Sequence, residues 1–430
     1  MKSEWNNTFL GEIVDVKQGL AINAKSKHLL VADGMPLLRI TDLLNDNQVQ
    51  FINAEEAPSQ CIANKEDLIY TRTGQVGHVF RGKVGVVHNN CFRIIPKDEN
   101  TTRGYLYWFL SQDKIRKYAN DIASGSVQKD LNHSAFKSIP ITIPLPKTQY
   151  KIEKILNSIE DKIELNRKMN QTLEEMAQAL FKSWFVDFDP VHAKAKCSSD
   201  AELETAAKEL GMSKDVLELF PSEFEESELG MIPKGWSVST LGSVLVERKE
   251  NIKPSEYTLE NPYVPIDCIS SKILSLSEIK SGEEAKSSLI KFYKDDILFG
   301  AMRPYFHKVC VAPFNGTTRS TAIVLQSVKT IDYSFGLLYL YQDSTIKYAT
   351  TNSTGTTMPY VKWKSVMENM QIVLPNAEIS KEYNRIVKPL LNNLQSKFDM
   401  QNTLKNTRDT LLPKLLSGEL DVLGIDLDVE

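Results

Sequence analysis

Apolar and small residues recur through residues 151–184 at Ile152, Leu156, Ile159, Ile163, Leu173, Ala177 and Leu180, and Asn166 and Asn170 fill the positions between. The steps alternate between four and three, which predicts a coiled-coil seam rather than the broader stripe of a surface helix. Neither Gly nor Pro interrupts it. At about 1.5 Å per residue the helix would be roughly 50 Å long, more than a compact domain needs, so it reads as a spacer or pairing arm. A weaker seam follows near the other end of the sequence: Ile386, Leu390, Asn393, Lys397, Met400, Leu404, Thr407 and Leu411, with Pro389 near its start.

The apolar pattern between the seams repeats. Trp5 with Leu10-Gly11 matches Trp236 with Leu241-Gly242, a shift of 231 residues, and Asp67-Leu68-Ile69-Tyr70 matches Asp296-Ile297-Leu298-Phe299 at 229. Tyr118-Ala119 and Ser124-Gly125-Ser126 match Tyr348-Ala349 and Thr354-Gly355-Thr356 at 230, and Thr172-Leu173 matches Thr403-Leu404 at 231. IPITIPLP, ending at Pro146, matches ENMQIVLP, ending at Pro375. Ordered matches at a nearly constant shift describe a duplicated unit, a globular block followed by a long helix, with a period far too long for a solenoid.

Each block mixes short strand-like runs with a helical segment, YLYWFLSQDKIRKYAN from Tyr105 and FGLLYLYQDSTIKYAT from Phe335, so the expected fold is mixed α/β. The expected divisions are a first globular domain over 1–148, a first coiled-coil helix over 149–185, a connector with one short helix over 186–233, a second globular domain over 234–376, and a second helix and tail over 377–430. Antiparallel pairing of the two helices within one chain would put the two blocks at opposite ends of a rod. Asn166 and Asn170 would then be candidates for setting register against Asn393 and its neighbours.

Charge changes this picture little. The net charge is −4 overall, yet residues 1–148 and 234–375 are each about +3, while 149–233 carries −8. That distribution removes an objection to a nucleic-acid partner without demanding one. The five cysteines lack C-x-x-C spacing, which argues against both a disulfide framework and a zinc site. No apolar run approaches a membrane span and MKSEWNNTFLGEI has no signal-peptide pattern, so a cytoplasmic protein without membrane contact is expected.

Catalytic signatures are sparse. The sequence has no G-x-x-x-x-G-K-[ST] phosphate loop, and Asn261-Pro262-Tyr263 lacks the second proline of an adenine-methylating loop. Asp267, Glu278 and Lys280 have the layout of a metal-dependent nuclease core, although the first half offers only Thr41-Asp42 in the matching region. Polar loops are the stronger signal. Arg72-Thr73-Gly74-Gln75 follows the first strand-like run, and Arg303, Tyr305, His307 and Lys308 follow its counterpart. Arg suits guanine edges or phosphate and Gln suits adenine. Ser124, Ser126 and Gln128, paired with Thr354 and Thr356, offer hydroxyls and open backbone donors for phosphate.

Four stretches carry a family resemblance. KMNQTLEEMAQALFKSWFVDFDPVHAKAK resembles the central conserved region of the specificity subunits of type I restriction-modification systems, and FPSEFEESELGMIPKGW the start of their second target-recognition domain. DILFGAMRPYFHKV is similar to a recurrent segment within that domain, and RDTLLPKLLSGELDV to the C-terminal conserved region. DLIYTRTG and SGSVQKDL match less distinctively. The resemblance implies a non-catalytic subunit in which each target-recognition domain reads one half of a bipartite sequence in double-stranded DNA. The helices would form an antiparallel coiled coil that fixes the spacer and docks two methyltransferase subunits. Those partners and two motor-nuclease subunits would use S-adenosylmethionine, ATP and Mg²⁺, leaving this chain with no cofactor, metal or catalytic residue of its own. The alternatives from the residues alone are a free-standing nuclease on Asp267, Glu278 and Lys280, or a coiled-coil adaptor without a DNA role.

Overall fold

The computed structural model describes residues 5–276 and 278–424. The chain forms two compact units, one made of residues up to 163 together with those from 404 onward, the other of residues 164–403. The boundary falls inside both long helices, so each unit contains a globular block and a piece of each helix.

The first unit is built on a four-stranded antiparallel sheet in the order Val14–Gln18, Cys91–Pro96, Leu68–Thr71, Val79–Phe80. Its inner strand, Leu68–Thr71, is buried along its whole length, as a continuous apolar run requires. A five-stranded sheet lies beside it in sequence, with one parallel pair, Met35–Leu38 against Gly85–Val87. Trp5–Phe9 pairs with Pro140–Pro144 immediately before the first long helix. Leu412, Leu415, Leu416 and Val422 close the same core as Leu10, Tyr70 and Phe92.

The second unit repeats the plan. Its four-stranded sheet runs Leu245–Glu247, Ala322–Ser327, Ile297–Gly300, Val309–Val311, whose starts lie 231, 231, 229 and 230 residues beyond those of the first sheet. Ser237–Thr240 pairs with Gln371–Leu374 before the second long helix, as Trp5–Phe9 does before the first. A buried aspartate opens each inner strand: Asp67 accepts from Arg93 at 2.7 Å and Asp296 from Arg248 at 2.8 Å. The duplication read from the sequence is thus a duplication of topology.

Each expected helical segment is two helices. Arg103–Ser111 breaks before Asp113–Ile122, and Tyr333–Leu340 before Asp343–Thr351. Gln112 and Gln342 adopt extended backbone, and each turns its side-chain amide back onto a carbonyl of the preceding helix, Phe109 at 3.0 Å and Leu338 at 2.9 Å. The aspartate after each Gln sits in the first turn of the next helix, where its charge favours the N-terminus.

The long helices span Pro146–Phe185 and Ala377–Leu416, the second continuing through Pro389 and Pro413. They run antiparallel within each unit. In the first, Arg408 meets Glu160 at 2.7 Å and Lys151 reaches the carbonyl of Leu423 at 2.9 Å; in the second, the Tyr383 hydroxyl donates to the Ala177 carbonyl at 3.3 Å.

The seams differ from the heptad reading. In the first helix Ile152, Leu156, Ile163, Asn166 and Asn170 are buried and Ile159 is half-buried, but beyond Asn170 the buried positions are Glu174, Ala177, Phe181, Trp184 and Phe185. Leu173 and Leu180 are only half-buried. In the second helix the buried stripe is Ile379, Tyr383, Val387, Leu391, Leu394 and Phe398, one residue away from the expected line. Leu390, Leu404 and Leu411 are half-buried, and Asn393 and Met400 are exposed. Asn393 therefore does not set register with Asn166 or Asn170. A straight helix drifts about 20° per heptad from a 3.5-residue repeat. The helices also bury themselves against the sheet domains as well as each other: Phe398 packs with Leu298, Cys310 and Val324.

Residues 186–233 form more than a connector. They fold into three helices, Asp189–Lys194, Asp200–Glu209 and Lys214–Glu218, and a hairpin of Phe224–Ser227 with Gly230–Pro233. Val191, Val216 and Phe220 join the core of the second unit. Trp184 packs edge-on to Phe220 at 5.0 Å between ring centres, and Phe185 meets Tyr383 at 4.7 Å and Phe335 at 4.9 Å. Acidic residues such as Glu204, Glu209 and Asp215 are left exposed on these short helices, and that charge, with Pro and Ser, is what suggests a linker.

Candidate nucleic-acid interface

In the first unit, the loop after Leu68–Thr71 and the loop after Asp113–Ile122 are drawn together. The backbone N–H of Gly74 donates to the Lys129 carbonyl at 2.8 Å, and that of Leu131 to the Arg72 carbonyl at 2.8 Å. Asp130 is the clasp, accepting from the Arg72 guanidinium and from the Thr73 hydroxyl, each at 2.6 Å. Burial alone would raise the Asp130 carboxyl, but the Thr73 hydroxyl and the Arg72 guanidinium hold it below the usual range. Arg72 also donates to the side-chain carbonyl of Gln18 at 3.1 Å. The fork of Arg72 is therefore spent on the protein, and Arg72 and Thr73 act as loop supports rather than the open donors that the sequence suggests.

What the clasp leaves open is Gln75, Ser124, Ser126 and Gln128, all exposed. Gly74 and Gly125 have φ of +79° and +91°, and a Cβ on Gly125 would lie 2.3 Å from the Gln128 carbonyl oxygen, so the tight second loop requires glycine. Val127 at its tip is fully exposed. The Ser124 hydroxyl donates to the Asp130 carbonyl at 3.0 Å, which steadies the base of the loop.

The second unit brings its two loops together in the same way. Arg303 N–H donates to the Pro359 carbonyl at 2.7 Å and Val361 N–H to the Ala301 carbonyl at 3.0 Å. Thr354 and Tyr360 exchange backbone hydrogen bonds at 2.9 Å, as Ser124 and Asp130 do at 2.8 and 3.0 Å. By these bonds Arg303 corresponds to Gly74, not to Arg72. Both residues have positive φ, +52° and +79°, a structural likeness that the residue types conceal. Arg303 makes no salt bridge among the described residues; one guanidinium nitrogen reaches the Thr357 carbonyl at 3.4 Å. Thr354, Gly355 and Thr356 are exposed, matching Ser124, Gly125 and Ser126.

His307 and Lys308 are placed otherwise than the sequence suggests. His307 is buried, its Nε2 lies 2.8 Å from the Tyr341 carbonyl, its ring packs on that tyrosine, and burial pulls its pKa down. The Lys308 ammonium turns inward to the Ile266 carbonyl at 2.8 Å. Both pin the turn that carries Tyr305, which is exposed. Asp130, Gln18 and Tyr360 are the residues that sequence reasoning missed. Asp130 and Tyr360 occupy equivalent positions with unlike chemistry, so the repeat could not flag them.

The nuclease layout is not assembled. Asp267 and Glu278 are exposed, Lys280 sits 3.8 Å from Glu284, and no cluster of three or more His, Cys, Asp or Glu suited to a metal occurs among the described residues. Likewise, no helix among them is long and apolar enough to cross a membrane.

Two copies of a mixed α/β block, each holding a pair of polar loops at one sheet end and each followed by a long helix, define a duplicated recognition protein. The family model described as type I restriction modification DNA specificity domain matches residues 2–175 and again 233–406, and the chain belongs to that family of specificity subunits. It is 29% identical over 438 residues to the type I restriction enzyme MjaIX specificity subunit of Methanocaldococcus jannaschii, covering 97% of this chain and 94% of that one. It is 26% identical over 470 residues to the HindI specificity subunit of Haemophilus influenzae, covering 97% and 100%. Among solved structures, the type I restriction-modification system S subunit from M. genitalium shares the fold with a TM-score of 0.57 at 15% identity, over 96% of both chains.

Proposed function

We propose that this chain is the non-catalytic DNA-reading subunit of a type I restriction-modification complex, with the first loop pair reading one half of a bipartite target and the second pair the other. The observation that carries the assignment of loops is their recurrence: two separate loops meet through matching backbone hydrogen bonds in both units, while the family match covers both copies. On this reading Gln75, Ser124, Ser126 and Gln128 face the first half-site. Arg303, Tyr305, Thr354 and Thr356 face the second. The two helices set the distance between half-sites and present a face to methyltransferase subunits. Methylation with S-adenosylmethionine, and ATP- and Mg²⁺-dependent translocation and cleavage, belong to the methyltransferase and motor-nuclease partners.

The test is a gel-shift titration of the methyltransferase complex on its target DNA, with and without this chain. Sequence-selective binding should require the chain. Replacing Ser124, Ser126 and Gln128 by Ala should relax the first half-site and leave the second intact; simultaneous loss of both would refute the modular reading. The chain alone with unmodified DNA and Mg²⁺ should give no cleavage.

A further inference from the structure

The turn Pro304–Phe306 in the second unit is tied down at both ends by hydrogen bonds. It is a single closed 3₁₀ turn, with Phe306 N–H donating to the Arg303 carbonyl at 3.0 Å and His307 N–H to the Pro304 carbonyl at 2.8 Å. The residues on either side, Arg303 and His307, both adopt left-handed backbone with φ of +52° and +51°, which non-glycine residues rarely do. Buried groups hold that conformation in place. Pro304 is buried, His307 is locked to the Tyr341 carbonyl, Lys308 is tied to Ile266, and the His307 carbonyl accepts from Lys272 N–H at 2.9 Å.

Between these anchors two aromatic rings project into solvent. Tyr305 is 49% and Phe306 45% exposed, and their ring centres are 4.8 Å apart. Strained backbone that the surroundings over-determine points to function, and exposed paired rings need a partner with an apolar or π face. Arg303, next to the turn in sequence, bonds through its backbone to Pro359 and reaches the Thr357 carbonyl, so the turn is tied to the loop that carries the exposed hydroxyls of Thr354 and Thr356, groups suited to phosphate or base edges. The equivalent turn of the first unit offers nothing comparable: Gln75 is exposed but Val76 is buried and Gly77 follows.

We propose that Tyr305 and Phe306 form a fixed aromatic wedge that stacks against an opened base step in the second half-site, kinking the DNA there and not in the first half-site. The inference rests on the DNA-reading role proposed above. Apolar wedges between base steps kink duplexes, and stacking on aromatic side chains tolerates any base, so the wedge adds affinity and a preference for easily unstacked steps such as TA or CA.

The experiment uses the assembled methyltransferase complex and end-labelled duplexes carrying the bipartite site, with end-to-end distance read by energy transfer and affinity by titration. The wild-type complex should shorten the distance. Tyr305→Ala with Phe306→Ala should lose most of that shortening and at least tenfold in affinity, whereas Tyr305→Phe should keep both. A nick scanned through the second half-site should tighten wild-type binding at one step and leave the double variant unchanged; nicks in the first half-site should do neither. Equal bending by wild type and double variant, or no favoured nick in the second half-site, would overturn the wedge while leaving the reading role intact. Should the double variant fail to assemble, the nick scan on wild type decides alone. A complex without sequence preference would overturn both.

Discussion

At the scale of single residues, the paired loops separate side chains that hold the loops together from side chains left exposed at their tips. Arg72 is the clearest case, because a guanidinium after a strand suggests a base contact until Asp130 is found 2.6 Å away. A double-mutant cycle of Arg72→Ala and Asp130→Ala, read by urea unfolding, should give non-additive losses with a coupling near 1 kcal/mol, since the pair is partly exposed and solvent screens it. Additive losses would mean that the clasp contributes nothing. Composition and spacing located both loop pairs, and Ser124, Ser126, Thr354 and Thr356 are exposed as expected. They could not show where charge is consumed, because Asp130 lies 58 residues from Arg72 and its partner position in the repeat is Tyr360. The inward turn of His307 and Lys308 is hidden from local sequence for the same reason: it depends on Tyr341 and Ile266, both more than thirty residues away.

At the scale of elements, the long helices are legible as helices from periodicity alone, and their buried faces are not. A heptad pattern assumes that the only partner is another helix. Here each helix also packs on a sheet domain, and the buried stripe turns toward it, bringing Glu174 inside where an apolar residue would be expected. Its carboxylate accepts from the backbone N–H groups of Leu274 and Ser275, both at 3.0 Å. Burial pushes its pKa up to about 7 against those hydrogen bonds. Between the unfolded value near 4.5 and the folded value near 7, the folded state holds the extra proton, so stability falls as pH rises through that window and levels off above it. Urea unfolding of the wild type and Glu174→Gln at pH 5 and pH 8 should differ in their pH dependence, the wild type losing on the order of 3 kcal/mol more than the variant on going to pH 8, with the buried histidines acting alike in both. Equal pH dependence in the two proteins would show that Glu174 is not the titrating group. The aromatic joint at the end of the same helix is a separate matter of packing: Trp184→Ala should cost about 3–5 kcal/mol in the same assay, because the surrounding rings cannot collapse onto the space.

At the scale of the whole molecule, duplication is the organising fact, and it was visible in the sequence because the matched residues are those that build turns and strand starts: Leu241-Gly242 after Leu10-Gly11, Asp296 after Asp67, Gly355 after Gly125. The segment 186–233 reads as a connector because its Pro, Glu and Ser residues stand out, whereas its apolar residues, Val191, Val216 and Phe220 among them, are buried against Trp184 and Phe185, which no local pattern shows. If the helices act as a ruler, removing seven residues from each shortens them by about 10 Å, equivalent to about three base pairs of duplex. The most direct measurement is a map of methylated adenines in DNA from cells expressing this chain with its methyltransferase partner, for the wild type and for the doubly shortened variant. The account predicts a bipartite site with two fixed half-sequences in both cases, and a spacer that becomes shorter in the variant while the half-sequences stay the same. A contiguous wild-type site, or a shortened variant that methylates the unchanged site with the unchanged spacer, would contradict it.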